Sequence, residues 1–215
     1  MESTRELAGW ISSVLSTFPA QRASVLDGAG AKVARKLKAR NIAIRAIDTF
    51  QCHHFWSGAL VPDGPVDLTE KHIAEWMRLR KEPEISGRFF PWANRAFSPE
   101  EAVWLGIWRA NIFESGLPFR LQAIGSVVVM RTMAYWLAWN RQEIGHKPLP
   151  PAAVFRHYVE QTMREISLSG NDHEAVFVPP GQDPDPRGLD LVYGYVHPGE
   201  GMRASDPRVK YWERW

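Results

Sequence analysis

The sequence predicts an α/β fold: an open sheet interrupted by a long helical region. Three observations predict it. Residues Ala23 to Asp48 read strand, glycine turn, helix, strand, acid. The middle of the chain carries helix starts and helical periodicity with little strand pattern. β-rich runs return only beyond Gly170. On this reading residues 1–61 and 168–215 build the α/β core. Residues 62–167 are helical, partly an inserted lobe and partly packed on the core.

In the opening unit the apolar run Ser24-Val25-Leu26 ends at Asp27 and meets Gly28-Ala29-Gly30. A helical pattern follows from Ala31 to about Arg40, with Val33, Ala34 and Leu37 on one face and Lys32, Lys36, Lys38 and Arg40 among the polar positions. Ile42 to Ile47 is β-rich and stops at Asp48. Glycines in such a turn let the backbone approach a nucleotide-like ligand, and the following helix offers unpaired amides. An acid about 20 residues further on, at the tip of the next strand, suits a ribose diol.

Thr49 to Val61 is expected to be a helix with Phe55 and Trp56 on its core face. Cys52-His53-His54 invites a metal reading, but adjacent residues point apart and no second ligand pair at chelating spacing is nearby, so no metal is expected. Asp67 or Thr69 can cap a helix through Ile73, Trp76 and Met77. Pro83 to Pro91 reads as a loop containing Gly87-Arg88-Phe89-Phe90. Ser98-Pro99-Glu100-Glu101 is the clearest helix start: a cap, a proline in the first turn, and acids at the positive end of the dipole. Trp104 and Trp108 share a face of that helix, which Gly116-Leu117-Pro118 ends. Leu121 to Trp139 is apolar and central, and a last helix runs from Pro150-Pro151 to about Ile166. Ala175 to Val178 and Leu189 to Tyr193 then read as strands.

Composition bounds the function. A chain of 215 residues can bury a full core, and a formal charge of +2 excludes a polycation, so nucleic acid would meet a local patch. One cysteine excludes an intrachain disulfide framework and fits a reducing, cytoplasmic setting. The first residues read as an amphipathic helix (Leu7, Trp10, Ile11, Val14, Leu15) and not as a signal peptide. The apolar stretch Ala123–Trp139 contains Arg131, and a buried helix is expected there instead of a membrane span. The aromatic tail with Trp212 and Trp215 points to a protein partner.

The order of these pieces resembles the Dam-type DNA adenine methyltransferases, which use S-adenosylmethionine to methylate the exocyclic amine of adenine. Ser24 to Lys38 looks like the family's cofactor loop and helix, especially Val33-Ala34-Arg35-Lys36-Leu37-Lys38. Ile42 to Asp48 resembles the next strand with its ribose acid. Gly87 to Asn94 resembles the aromatic segment of the family's helical insertion, and Asp190-Leu191-Val192-Tyr193 the strand before the catalytic Asp-Pro-Pro-Tyr motif. The resemblance implies a methyltransferase-like (Rossmann-like) central sheet. It also implies S-adenosylmethionine held by Asp27, Gly28, Ala29, Gly30 and Asp48. As a DNA-binding subunit the chain would meet DNA through Lys32, Lys36, Lys38 and Arg40; the alternative for those four is a solvated helix face.

Two departures qualify what is implied. Asp27 abuts Gly28, which shortens the turn, and Gly194-Tyr195-Val196-His197-Pro198 stands where Asp-Pro-Pro-Tyr is expected. In the family the acid and a proline carbonyl accept the adenine amine's protons while Tyr stacks on the flipped base. Tyr195 and His197 can stack, and a neutral His197 has one acceptor lone pair. The expectation is therefore a catalytically degenerate, methyltransferase-like DNA-binding or partner subunit. The alternatives are an active enzyme using Gly194–Pro198, with His197 as acceptor, or an unrelated nucleotide-binding α/β protein.

Overall fold

The computed structural model describes residues 9–11, 13–15, 17–26, 31–80, 92–93, 95–140, 149–179, 181–182 and 189–194. The chain divides into two compact units. Unit one draws on the chain up to Pro65 and again from Glu165. Unit two runs from Val66 to Arg164.

Unit one is built on a four-stranded sheet of β1 (Arg22–Leu26), β2 (Ala43–Asp48), β3 (Glu174–Phe177) and β4 (Leu191–Gly194). Every pairing is parallel, and the spatial order is β3-β2-β1-β4. A parallel sheet needs crossovers to return the chain, so its inner strands are covered and read as apolar runs. β1 and β2 fit this: Ala23, Val25, Ile44, Ala46 and Ile47 are all buried. Buried Ser24 sends its hydroxyl to the Arg45 carbonyl across the sheet (3.2 Å). The chain is thus an α/β protein, as the strand and helix pattern predicts, and its sheet is parallel throughout the described strands.

α1 (Lys32–Lys38) and α2 (Gln51–Leu60) also belong to unit one. α1 buries Val33, Ala34 and Leu37, and it stops at Lys38, short of Arg40. Asn41, with φ of 65°, turns the chain out of the helix into β2. α2 departs from its expected packing. Cys52 and His53 are buried beside Phe55, while Trp56 is only half-buried. The imidazoles pack as aromatics: Phe50 meets His53 edge-on (5.4 Å) and Phe177 lies tilted against His54 (5.6 Å).

Asp190 fixes how β4 enters the sheet. Its carboxylate accepts from the Gln21 and Arg22 amides, both at 2.9 Å, and its own amide donates to the Arg22 carbonyl. Those amide bonds hold its carboxyl below the usual range. β4 therefore starts level with β1, and Leu26 pairs with Gly194 at the carboxyl ends.

Unit two contains α3 (Glu70–Trp76), α4 (Pro99–Phe113), α5 (Phe119–Asn140) and α6 (Pro151–Glu165), whose last residue lies at the division. Thr69 is the cap of α3, its amide donating to His72 Nδ1. Ser98 and Glu101 form a reciprocal capping box on α4, with Ser98 N to Glu101 Oε2 at 2.7 Å. α5 is long and apolar enough to cross a membrane, but 72% of that stretch is buried inside the protein. Gly125 lets it approach α4 closely: a Cβ there would stand 2.9 Å from Ile112 Cδ1. The core is aromatic. Trp108 stacks on Trp136 (5.6 Å) and lies 4.8 Å from Phe155, and Phe97 and Trp76 close the cluster edge-on. Trp104 leans on Trp108 at its half-buried margin.

Candidate functional site

Parallel strands send all their carboxyl ends to one edge of a sheet, and ligands of open α/β sheets bind there, where the strand order reverses. In unit one that reversal falls at β1: its successor β2 lies on one side and β4 on the other. The residues next in sequence after Leu26 are Asp27–Gly30, and those next after Gly194 include Tyr195 and His197. Both stretches lie outside the described residues, as do Gly87–Phe90, Trp212 and Trp215. What is described is their root, the adjacent pair Leu26 and Gly194. A Cβ on Gly194 would stand 3.1 Å from Leu26 Cδ1, so only glycine fits this pairing without displacement.

Asp48 ends β2 on the same edge and is fully buried. Its carbonyl accepts from Val178 N (3.0 Å), which carries the β2–β3 pairing one residue past Phe177. Ala31, the first described residue after the glycine stretch, adopts a left-handed conformation (φ 54°) and is buried. A non-glycine residue held there costs about 1–2 kcal/mol. Ala31 is the N-cap of α1 and makes no side-chain cap hydrogen bond.

The four basic positions do not stay together. Lys32, Lys36 and Arg40 are exposed at four-residue spacing along one side of α1 and its end. Lys38 departs from the expectation of a DNA-facing lysine. Its side chain is fully buried, and Nζ donates to the Val61 carbonyl (2.7 Å) and pairs with Asp63 (2.5 Å). Helical geometry explains this, because position 38 follows Ala34 and Leu37 on the buried side. Arg35 pairs with Glu165 at 2.6 Å.

Asp63 is the centre of a polar cluster that the sequence did not announce. Besides Lys38, its carboxylate accepts from Ser169 N (2.9 Å), Ser169 Oγ (3.1 Å) and Gly170 N (2.7 Å). Burial alone would push this carboxyl up; the Lys38 bond and charge and the two amides outweigh it and hold it well below the usual carboxylate range. Ser169 Oγ lies 2.5 Å from His173 Nε2, and His173 Nδ1 accepts from Ile44 N at 3.0 Å. Ser, His and Asp in contact suggest a nucleophilic triad, but the polarity is reversed. An imidazole accepting at Nδ1 carries its proton on Nε2, so it donates to Ser169, and Ser169 donates to Asp63. A serine donated to by its histidine is not activated by it. Asp63 and Ser169 stand 106 positions apart, and no short motif signals such a contact.

Burial lowers the pKa of His54. Among the described residues no group of three or more His, Cys, Asp or Glu side chains is arranged to hold a metal ion. The fold and this edge define an α/β protein with a parallel 3-2-1-4 sheet. Compared with protein-family models, curated proteins and solved structures, the chain matches none of them.

Proposed function

We propose that the chain is a methyltransferase-like α/β protein that has lost methyl transfer and works as a DNA-binding or partner subunit. One observation carries this reading. The strands preceding the glycine stretch and the Tyr195–His197 stretch are adjacent and in register at the carboxyl edge of a parallel sheet, with Asp48 ending the next strand. That is the edge at which an S-adenosylmethionine-type ligand and a flipped base would have to meet. Loss of transfer follows from the sequence: no carboxylate stands among Gly194–Pro198 to accept the amine's protons. Exposed Lys32, Lys36 and Arg40 supply the DNA-binding half of the proposal.

Three measurements test it. Incubation with duplex DNA and methyl-labelled S-adenosylmethionine is expected to leave the DNA unlabelled; labelled DNA, lost on His197→Ala, would establish the active alternative. Titration calorimetry at millimolar S-adenosylmethionine tests the cofactor edge, and no heat there withdraws it. DNA binding should weaken with salt. Replacing Lys32, Lys36 and Arg40 by Ala should flatten the log–log slope by about one per cation that meets a phosphate. A slope unchanged in the triple variant removes α1 as the DNA contact.

A further inference from the structure

The Asp63 cluster occupies a particular place in the chain. Val61 to Pro65 is where the chain leaves unit one, and Glu165 to Gly170 is where it returns. Asp63 on the outgoing segment and Ser169-Gly170 on the incoming one are joined by three hydrogen bonds to a single carboxylate oxygen. Lys38 anchors the outgoing segment to α1, and His173 anchors the incoming one to β2. We propose that Lys38, Asp63, Ser169 and His173 form a clasp that closes the two ends of the helical insertion onto the sheet, and that His173 is its proton-controlled latch.

The latch follows from backbone geometry. β3 begins at Glu174, paired with Arg45, so the sheet's ladder does not reach the amide of Ile44. His173, one residue before β3, fills that place with Nδ1. A buried strand amide needs such an acceptor. Protonation puts a hydrogen on Nδ1, so that one donor faces another and the bond is lost. The charged groups facing the imidazole are Lys38 from α1, Asp63 from the outgoing segment and neighbouring Asp172. Burial and the Lys38 ammonium hold the imidazole below its ordinary pKa, against the opposite pull of Asp63 and Asp172. The sign is therefore fixed. The latch is closed above about pH 6.5, where a free histidine is neutral, and weakens as pH falls toward the lower folded-state value. Closing excludes one proton, so its equilibrium falls by up to about tenfold per pH unit in that interval. This inference does not depend on the cofactor reading.

Imidazole nitrogen NMR on the full chain tests the latch directly. His173 should show its proton on Nε2 at pH 7.5 and titrate below 6.5. A proton on Nδ1, or titration at or above 6.5, overturns the proposal. Exchange of the Ile44 amide gives the second readout. Its protection should fall with pH from 7.5 to 5.5 in the native chain. In His173→Asn, whose side-chain carbonyl can accept the same bond without titrating, it should stay level. An equal fall in both proteins overturns the latch, because another group such as His54 would then be responsible.

Discussion

Among the described residues, the largest fully buried side chains of unit two are aromatic: Trp76, Trp108, Trp136, Phe97 and Phe155. In unit one the largest among the described residues is Lys38, with Asp48 and His173 also buried. One interior is held by area and ring geometry, the other in part by a charge pair whose carboxylate also accepts from two amides and a serine hydroxyl. The difference predicts opposite responses to damage. An apolar cluster loses stability in proportion to the volume removed, whereas a buried ionic cluster fails when one member leaves the rest uncompensated.

Two truncations of comparable, large effect test that contrast. Trp108→Ala should destabilise unit two by about 3–5 kcal/mol, with smaller apolar replacements losing proportionally less in denaturant titrations. Asp63→Ala, which strands the fully buried Lys38 ammonium, should cost unit one about 3–5 kcal/mol. If Asp63→Ala cost under 1 kcal/mol, the cluster would be ornament and the contrast would collapse. Gly125→Ala comes next, at about 1–3 kcal/mol from overpacking against buried Ile112, whose Cδ1 and Cγ1 would stand 2.9 and 3.0 Å from the added Cβ. The smallest effect is acid sensitivity. His54 and His173, both in unit one, have lowered pKa values, so the stability they confer is complete above about pH 6.5 and declines below it. Residue-resolved exchange should show unit one loosening first as pH falls from 7 toward 5. Asp63 adds its loss only in much stronger acid, below the ordinary carboxylate range.

What could be read from the sequence follows the same division. The α/β character was legible because β1 and β2 are short apolar runs beside a glycine turn, and the capping box at Ser98–Glu101 because its residues lie within one turn. The strands of the return leg were legible to within two residues. The clasp was not, since His173 meets an amide 129 positions away and Ser169 a carboxylate 106 away. Lys38 was misread for a related reason: a lysine in a basic run looks solvated, and its burial depends on Asp63 arriving from beyond the next helix. The candidate edge itself was legible only as a set of loops following strands. Pairing Leu26 with Gly194 requires knowing that a strand late in the chain lies next to the first.

The clasp also bears on the order in which the chain acquires structure during synthesis. β1 and β2 leave the ribosome long before β3 and β4, and two strands alone are marginal in water. The four-stranded sheet is complete only after residues 66–164 have been made, because β3 and β4 follow them in sequence. Once that stretch is compact, the span to be closed between Asp63 and Ser169 is no longer that of a free coil, and its entropic penalty shrinks. Unit one, whose first strands are made earliest, is completed by strands made after residues 66–164.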